Sequence, residues 1–196
     1  GCNFCLDFKL IIERNKNFNL NRFKFNFDKL IEEISLNGKN KQYDCIVGVS
    51  GGLDSSYTLY KVKNAGLRPL AVHMDNGWNS ELAQNNIANL VKKLDVDIYT
   101  HVIEWDEYKR AMEAFFKANV IDVELLYDNA MLAVNYKLAS KFGVKYILSG
   151  TNTITEGMRL PKNWSWFKND KTNIKSICKK FENLKIKTIP TFGTID

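Results

Sequence analysis

The residues best suited to chemistry form one short run, Ser50-Gly51-Gly52-Leu53-Asp54-Ser55-Ser56. Its two glycines let the backbone turn sharply and direct its amide groups inward, while its three serines add hydroxyl donors. A helix that begins directly after the glycines would add the positive end of its dipole. The run therefore predicts a phosphate site with Asp54 as its acid, although Asp54 could also be a plain helix cap.

A strand must lead into this run and a helix must leave it. Short apolar runs alternate with segments of helical spacing along most of the chain. Strands are predicted at 44–49, 69–74, 96–103 and 144–148, and helices at 55–65, 80–94, 106–118 and 129–142. This alternation predicts an α/β fold of Rossmann-like type, with an open, mostly parallel sheet and helices on both faces.

The loops after the first, second and fourth strands should share one crevice, because ligands of open parallel sheets bind beyond the carboxyl ends of the strands. The second loop follows His73 and contains Asp75 and Asn76, and the third contains Gly150 and Thr151. We expect all five residues to contact the same nucleotide. His73 could instead be a core histidine, and the loops could be plain turns.

Composition limits the class of protein. The chain has 196 residues, of which 45% are hydrophobic and 26% are charged. No apolar run approaches the roughly 20 residues that span a bilayer, and we expect no secretory leader. We expect a cytoplasmic protein with no membrane contact and reduced cysteines.

The charge divides the chain into unequal parts. Residues 157–196 contain nine Lys and Arg against three Asp and Glu, a surplus of six that equals the net charge of the whole chain (28 minus 22). We expect an N-terminal extension at 1–40, a nucleotide-binding domain at 41–156 and a basic C-terminal segment at 157–196. A basic segment can meet a nucleic acid or a phosphorylated small molecule, but it is also ordinary solvated surface.

The Ser-Gly-Gly-x-Asp-Ser order after a buried strand resembles the signature of the PP-loop ATP pyrophosphatases. It lacks the Gly-Lys-Ser/Thr of a Walker loop and the three-glycine spacing of a dinucleotide site. The resemblance implies the adenine nucleotide alpha hydrolase-like fold, with ATP and Mg²⁺ bound at this loop. It assigns catalysis to Ser50, Asp54 and Ser55, and it places adenosine near Asp75 and Asn76.

A wider resemblance, over roughly residues 40–170, is to N-acetyl sugar amidotransferases of bacterial lipopolysaccharide and flagellar-glycan pathways. It rests on residues 72–79, 121–124 and 148–152. It implies that ATP adenylates the acetamido oxygen of a nucleotide-linked sugar and that ammonia then displaces AMP. The substrate contacts that we expect are Asp122, Glu124, Asn152, Glu156, Arg159 and Trp164. Asp122 and Glu124 could instead be surface acids, and Trp164 could pack against the domain.

Partners follow from this interpretation. The chain has only two histidines and offers no convincing Cys-His-carboxylate set, so we expect a separate glutaminase to supply ammonia. A tRNA-modifying enzyme is an alternative, but we consider nucleic acid an unlikely partner, since only Cys178 follows the loop and persulfide chemistry in such enzymes uses a cysteine pair. A non-catalytic ATP-binding module is a further alternative.

Cys2 and Cys5 have the spacing of two ligands of a tetrahedral zinc site, which needs four. The resembled enzymes carry another cysteine pair upstream. We therefore expect Zn²⁺ only in an intact protein that is longer than this chain.

Overall fold

The structure, a computed structural model, describes residues 1–17, 26–151, 164 and 166–193. In chain order its elements are α1 Asn3–Asn17, α2 Phe27–Gly38, β1 Cys45–Gly48, α3 Leu53–Asn64, β2 Pro69–Asp75, α4 Glu81–Leu94, β3 Ile98–Val102, α5 Trp105–Lys117, α6 Leu125–Phe142, β4 Ile147–Leu148 and α7 Lys171–Glu182. No helix in these ranges is long and apolar enough to cross a membrane.

The described strands form one parallel sheet in the order β3-β2-β1-β4. Val47 of β1 lies opposite Ala71 of β2 on one side and opposite Leu148 of β4 on the other. Since the chain runs from β1 outward to β3 and then returns to the far side of β1, the strand order reverses at β1. The predicted α/β fold with an open parallel sheet is confirmed.

The central strands β1 and β2 are covered on both faces, and their side chains alternate between two cores. Ile46 and Leu70 point into a core shared with α5, α6 and α7. Val47 and Ala71 point into the opposite core, which is shared with α2, α3 and α4. Buried on two sides, the central strands need the continuous apolar runs that the sequence shows.

The C-terminal segment completes the first of these cores. Ile174 and Cys178 of α7 are fully buried there, and α7 packs against α5. Beyond α7, the carboxylate of Glu107 in α5 accepts hydrogen bonds from three consecutive backbone N–H groups, at residues 187–189. The described part of the basic segment is thus integrated with the domain.

Candidate nucleotide site

The Ser-Gly-Gly run forms a tight loop between β1 and α3. Gly51 has a φ of 78°, and a Cβ at this position would lie 2.4 Å from the carbonyl oxygen of Ala83 in α4. Asn86 of α4 donates from its side-chain amide to the Gly51 carbonyl at 3.1 Å. The glycine is required here because the loop passes directly against α4.

The first turn of α3 is open to an anion. Its N-cap is Gly52, which has no side chain, so no N-cap side chain accepts a hydrogen bond from the first backbone N–H groups of the helix. The hydroxyls of Ser50 and Ser55 lie 3.1 Å apart, and the backbone N–H of Ser50 donates to Ser55 Oγ at 3.2 Å. Amide and hydroxyl donors therefore meet at the positive end of a helix, as a phosphate requires.

Asp54 and Ser56 have different surroundings. Asp54 is the exposed acid of the first turn of α3 and is not its cap, so the helix-cap alternative does not apply. An exposed carboxylate beside bound phosphates suits Mg²⁺, which commonly takes one or two protein carboxylates together with phosphate oxygens. Ser56 donates its hydroxyl to the Gly52 carbonyl at 2.6 Å and so closes the turn.

The loop after β4 meets the same turn, as predicted from the shared crevice. A Cβ on Gly150 would lie 2.5 Å from the backbone nitrogen of Ser55 and 2.6 Å from the carbonyl carbon of Asp54. Gly150 therefore packs backbone against backbone on the α3 N-terminus. Thr151 follows it and is exposed.

His73 is buried at the end of β2 with partners on both ring nitrogens. Nδ1 lies 3.1 Å from the Val49 carbonyl, and Nε2 lies 3.4 Å from the side-chain amide nitrogen of Asn79. Because a carbonyl only accepts, the pattern assigns the proton to Nδ1 and leaves Nε2 to accept. The geometry favours the core-histidine alternative: His73 joins β2 to the segment that enters the Ser-Gly-Gly loop.

The side chains of Asp75 and Asn76 shape the loop after β2. Asp75 Oδ1 accepts from the Gly77 backbone at 2.9 Å and from the Asn79 side chain at 3.1 Å. Asn76, which is buried, accepts from the Trp78 backbone at 3.1 Å. These bonds fix a loop that borders the crevice beside the phosphate loop.

Acidic side chains at the start of α6 approach this loop from the other side. Tyr127 of α6 donates to the Met74 carbonyl at 3.4 Å. Burial raises the pKa of Tyr127 to about 12, with further contributions from Tyr108 and from Glu124, Asp128 and Asp75. Glu124, an exposed residue at the N-cap of α6, therefore lies near Tyr127, and its predicted contact with the substrate stays a prediction.

Asp122 is held by Lys168, a cation of the basic C-terminal segment. Lys168 forms ion pairs with Asp122, at 3.2 Å, and with Asp128. Burial lowers the pKa of Lys168, but the two carboxylates outweigh it and the net shift is upward. Asn129, fully buried, donates to the carbonyls of Lys168 and Phe192 and accepts from the Phe192 N–H. No motif marks Asn129 or Phe192 in the sequence.

The remaining substrate predictions have mixed outcomes. Trp164 is half-exposed, and its ring makes an edge-to-face contact with Phe4 of α1 at a centroid distance of 5.6 Å. Asn152, Glu156 and Arg159 lie outside the described residues, so their roles stay predictions.

The Cys2–Cys5 pair lies at the start of α1 with its sulfur atoms 3.2 Å apart. The backbone N–H of Cys5 and the Cys5 thiol lower the pKa of Cys2, and that sulfur contact raises the pKa of Cys5. Among the described residues, no group of three or more His, Cys, Asp or Glu side chains is arranged to hold a metal ion. The structure thus provides no support for the predicted zinc.

Comparisons with solved structures show the same fold elsewhere. An NH₃-dependent NAD synthetase from Campylobacter jejuni, in complex with the nitrate ion, superposes with a TM-score of 0.50 and 17% identity, covering 80% of this chain and 72% of that one. A glutamine-dependent NAD⁺ synthetase from Acinetobacter baumannii, in complex with ADP, superposes with a TM-score of 0.52 and 19% identity, covering 83% of this chain. The chain spans about a third of the length of the Acinetobacter enzyme, 32%.

No curated protein matches the sequence significantly. Residues 28–160 do, however, match the family model of NAD synthase. The matched residues are more than half of the chain and include the phosphate loop and the loops after β2 and β3. On this evidence the chain belongs to the NAD synthase family, within the PP-loop ATP pyrophosphatases.

Proposed function

We propose that this chain is an ATP-dependent N-acetyl sugar amidotransferase, which converts the acetamido group of a nucleotide-linked sugar into an acetamidino group. The observation that carries the ATP part is the uncapped α3 N-terminus, where the Ser50 and Ser55 hydroxyls meet and Gly150 packs on the backbone. The sugar part is supported by the sequence resemblance at residues 72–79, 121–124 and 148–152.

In the proposed reaction ATP is a substrate. The acetamido oxygen attacks the α-phosphorus, the bond to the β-phosphate oxygen breaks, and pyrophosphate leaves. Ammonia then attacks the activated carbon, and the original acetamido oxygen leaves with AMP. Splitting the exchange into two displacements gives an inert amide oxygen a good leaving group.

The described residues would divide the work of binding. The N–H groups of the first turn of α3, with the hydroxyls of Ser50 and Ser55, hold the phosphates that become pyrophosphate. Mg²⁺ bound by the phosphates and by Asp54 would neutralise the charge that develops on the leaving group. Fixed donors at such a position contribute a large share of catalysis because they need no reorganisation during the reaction.

Ammonia as the nucleophile has support among the structural relatives. The Campylobacter jejuni protein of the same fold is named as an NH₃-dependent enzyme, and the Acinetobacter baumannii complex contains ADP. The family match also favours a second candidate, amidation in NAD synthesis itself. Both reactions would release AMP, so only the organic substrate distinguishes them.

The test is an AMP-release assay with ATP, Mg²⁺ and ammonium. The substrates compared are a panel of nucleotide-linked N-acetyl sugars, nicotinic acid adenine dinucleotide and unmodified tRNA. We expect AMP only with a sugar nucleotide, together with a product about 1 Da lighter, since NH replaces oxygen. AMP release with the dinucleotide alone would assign NAD synthesis, and release with tRNA alone would assign RNA modification.

A binding-only module would give a different result. ATP would then bind and stabilise the fold, but no member of the panel would release AMP at any ammonium concentration. That outcome would reject the enzymatic proposal while leaving the phosphate site in place.

A further inference from the structure

An exposed tryptophan borders the crevice and has no role in the site described so far. Trp78 follows the loop after β2, and 65% of its surface is exposed. Its ring makes edge-to-face contacts with Trp105 and Tyr108, at centroid distances of 5.7 and 6.4 Å. We refer to Trp78, Trp105 and Tyr108 as the aromatic platform.

The platform is held in place from several directions. The Trp78 backbone donates to Asn76 Oδ1, and Tyr108 at its base is 3% exposed. Gly77 has a φ of 81°, and a Cβ there would lie 3.1 Å from Cε3 of Trp105. An indole ring that is both exposed and fixed at its edges is prepared to stack on a flat group without losing much rotational freedom on binding.

The platform lies on the rim of the nucleotide crevice. Trp105 begins α5 shortly after β3, which is one edge strand of the sheet. The platform therefore lies toward that edge, whereas Gly150 follows β4 at the opposite edge. In the other direction the chain runs from Trp78 to Ala83, whose carbonyl contacts Gly51 of the phosphate loop. Five residues span at most roughly 17 Å even when fully extended. A small molecule could therefore extend from the platform to the phosphate loop.

We propose that the aromatic platform stacks the nucleobase of the nucleotide-linked sugar; this inference rests on the function proposed above. The reactive acetamido group must reach the α-phosphate of ATP at the phosphate loop. In the nucleotide-linked sugar, the base is separated from the acetamido group by the sugar and the linking phosphates. The base must therefore lie further out, toward the rim of the crevice.

The acidic residues near Trp78 and Trp105 in the sequence favour a base over a phosphate. Asp75 precedes Gly77, while Glu104 and Asp106 flank Trp105 in the sequence. These carboxylates would repel a phosphate, but they do not oppose a neutral aromatic ring. Base-on-aromatic stacking also tolerates different bases, which suits a surface rather than a closed pocket.

The test measures binding without turnover. UMP, CMP and GMP carry a base but no acetamido group, so calorimetric titration of each into the full chain reports base binding alone. ATP with Mg²⁺ is titrated separately. The variants are Trp78→Ala, Trp78→Phe, which keeps a ring, and Phe116→Ala as a matched control. Phe116 is also an exposed aromatic residue, but it lies at the far end of α5.

We expect the mononucleotide that binds the wild type best to lose about tenfold or more in affinity with Trp78→Ala. Trp78→Phe should retain most of it, and Phe116→Ala should match the wild type. ATP affinity should stay within about twofold throughout, since its phosphates are held at the phosphate loop and its adenosine is expected beside Asp75 and Asn76, not stacked on Trp78.

Three results would overturn the proposal. The first is unchanged mononucleotide affinity in Trp78→Ala. The second is the absence of measurable binding of all three mononucleotides to the wild type. The third is a loss confined to ATP, which would make the platform the adenine site. The reaction itself can fail independently: base binding at Trp78 with no AMP release from any sugar nucleotide would reject the proposed function and retain the platform.

Discussion

At the scale of residues, the site depends on a few atoms at the start of α3. Ser55 is central among these residues. Its hydroxyl accepts a hydrogen bond from the Ser50 N–H and lies 3.1 Å from the Ser50 hydroxyl. Asp54 makes no cap and is exposed. The Asp54 carboxylate is therefore exposed to a ligand, and the Ser55 hydroxyl, which also contacts the Gly52 carbonyl at 3.4 Å, is positioned beside it by the loop.

Asp54→Asn and Ser55→Ala should each lower kcat for AMP release by about 10²–10³, the usual effect of losing one fixed group at a developing charge. The fold should survive, because neither side chain belongs to a core. AMP release by mass spectrometry and unfolding by circular dichroism check the two parts. Asp28→Asn is the control, since Asp28 is likewise an acid in the first turn of a helix, α2. Equal activity in all variants would contradict the assignment of the phosphate loop.

Gly150→Ala should damage the site by sterics alone. The added methyl would lie 2.5 Å from the Ser55 nitrogen, so either the β4 loop or the α3 N-terminus must move. Overpacking of this kind costs roughly 1–3 kcal/mol of the free energy of unfolding. ATP affinity should fall as well, because the moved backbone carries the phosphate donors. Calorimetric titration with ATP measures the second effect.

Gly48→Ala provides the matched control for that substitution. Gly48 lies at the end of β1, and a Cβ there would meet no atom within 4 Å. Its variant should bind ATP as the wild type does. If Gly150→Ala behaved like Gly48→Ala, the close approach of the two loops would not matter for binding.

At the scale of elements, the strand and helix pattern was readable because each central strand is buried on two faces and each helix on one. The predicted strand at 96–103 is found at Ile98–Val102, and the helix predicted at 106–118 is found at Trp105–Lys117. The last predicted helix begins earlier than expected, at Leu125. Leu125, Leu126 and Tyr127 of its first turn belong to or pack against the core, but the polar Asp128 and Asn129 that follow them, which contact Lys168 and Phe192, interrupt the apolar pattern.

Helix α7 offers a test of pH dependence at this scale. Asp170 is its N-cap, accepting from the Asn173 backbone and from the Trp166 indole. These two bonds hold the pKa of Asp170 below its ordinary value. The cap therefore stabilises the protein fully above the carboxyl's unfolded pKa, about 3.9, and its contribution is lost as pH falls through the lower, folded pKa.

Asp170→Ala should lower the free energy of unfolding by about 1 kcal/mol at pH 7, the usual value of an N-cap. The difference from the wild type should shrink as the pH drops below the ordinary range of a carboxyl. Urea unfolding at pH 7 and at successively lower pH measures both. Asp106→Ala, at an exposed acid in the first turn of α5, is the control. A difference that stays constant with pH would show that the Asp170 carboxylate does not cap α7.

At the scale of the whole molecule, the sequence predicted which loops meet but not which long-range contacts join the start of α6 to the C-terminal segment. The three loops follow from the parallel sheet alone, because the carboxyl ends of its strands share one edge. The contacts of Lys168 with Asp122 and Asp128, and of Asn129 with Phe192, join residues 40 to 63 positions apart. Such long-range contacts produce no periodic pattern in the sequence, because the residues next to each partner do not have to be of any particular type for the contact to form.

The whole molecule also bears on the source of ammonia. A glutaminase of the cysteine type needs a thiolate and a histidine that is free to take a proton. Burial raises the pKa of Cys45 to about 12 and of Cys178 to about 11, so both stay protonated at pH 7. The pKa of the exposed Cys2 is lowered, but its sulfur is paired with that of Cys5 at the start of α1, 3.2 Å away. Of the two histidines, His73 is engaged at both nitrogens, and His101 Nε2 contacts the Thr188 carbonyl at 3.1 Å.

We therefore expect AMP release to depend on ammonium and not on glutamine when the chain acts alone, at pH 7 and with a sugar nucleotide in excess. Adding a separate glutaminase should restore activity with glutamine, because the chain needs only the free ammonia that such an enzyme liberates. Cys5→Ser, which removes an exposed thiol outside the cores, is the matched control and should not alter either rate. Activity with glutamine alone that thiol alkylation abolishes would show that a cysteine of this chain performs the hydrolysis, and the inferred partner would then be unnecessary.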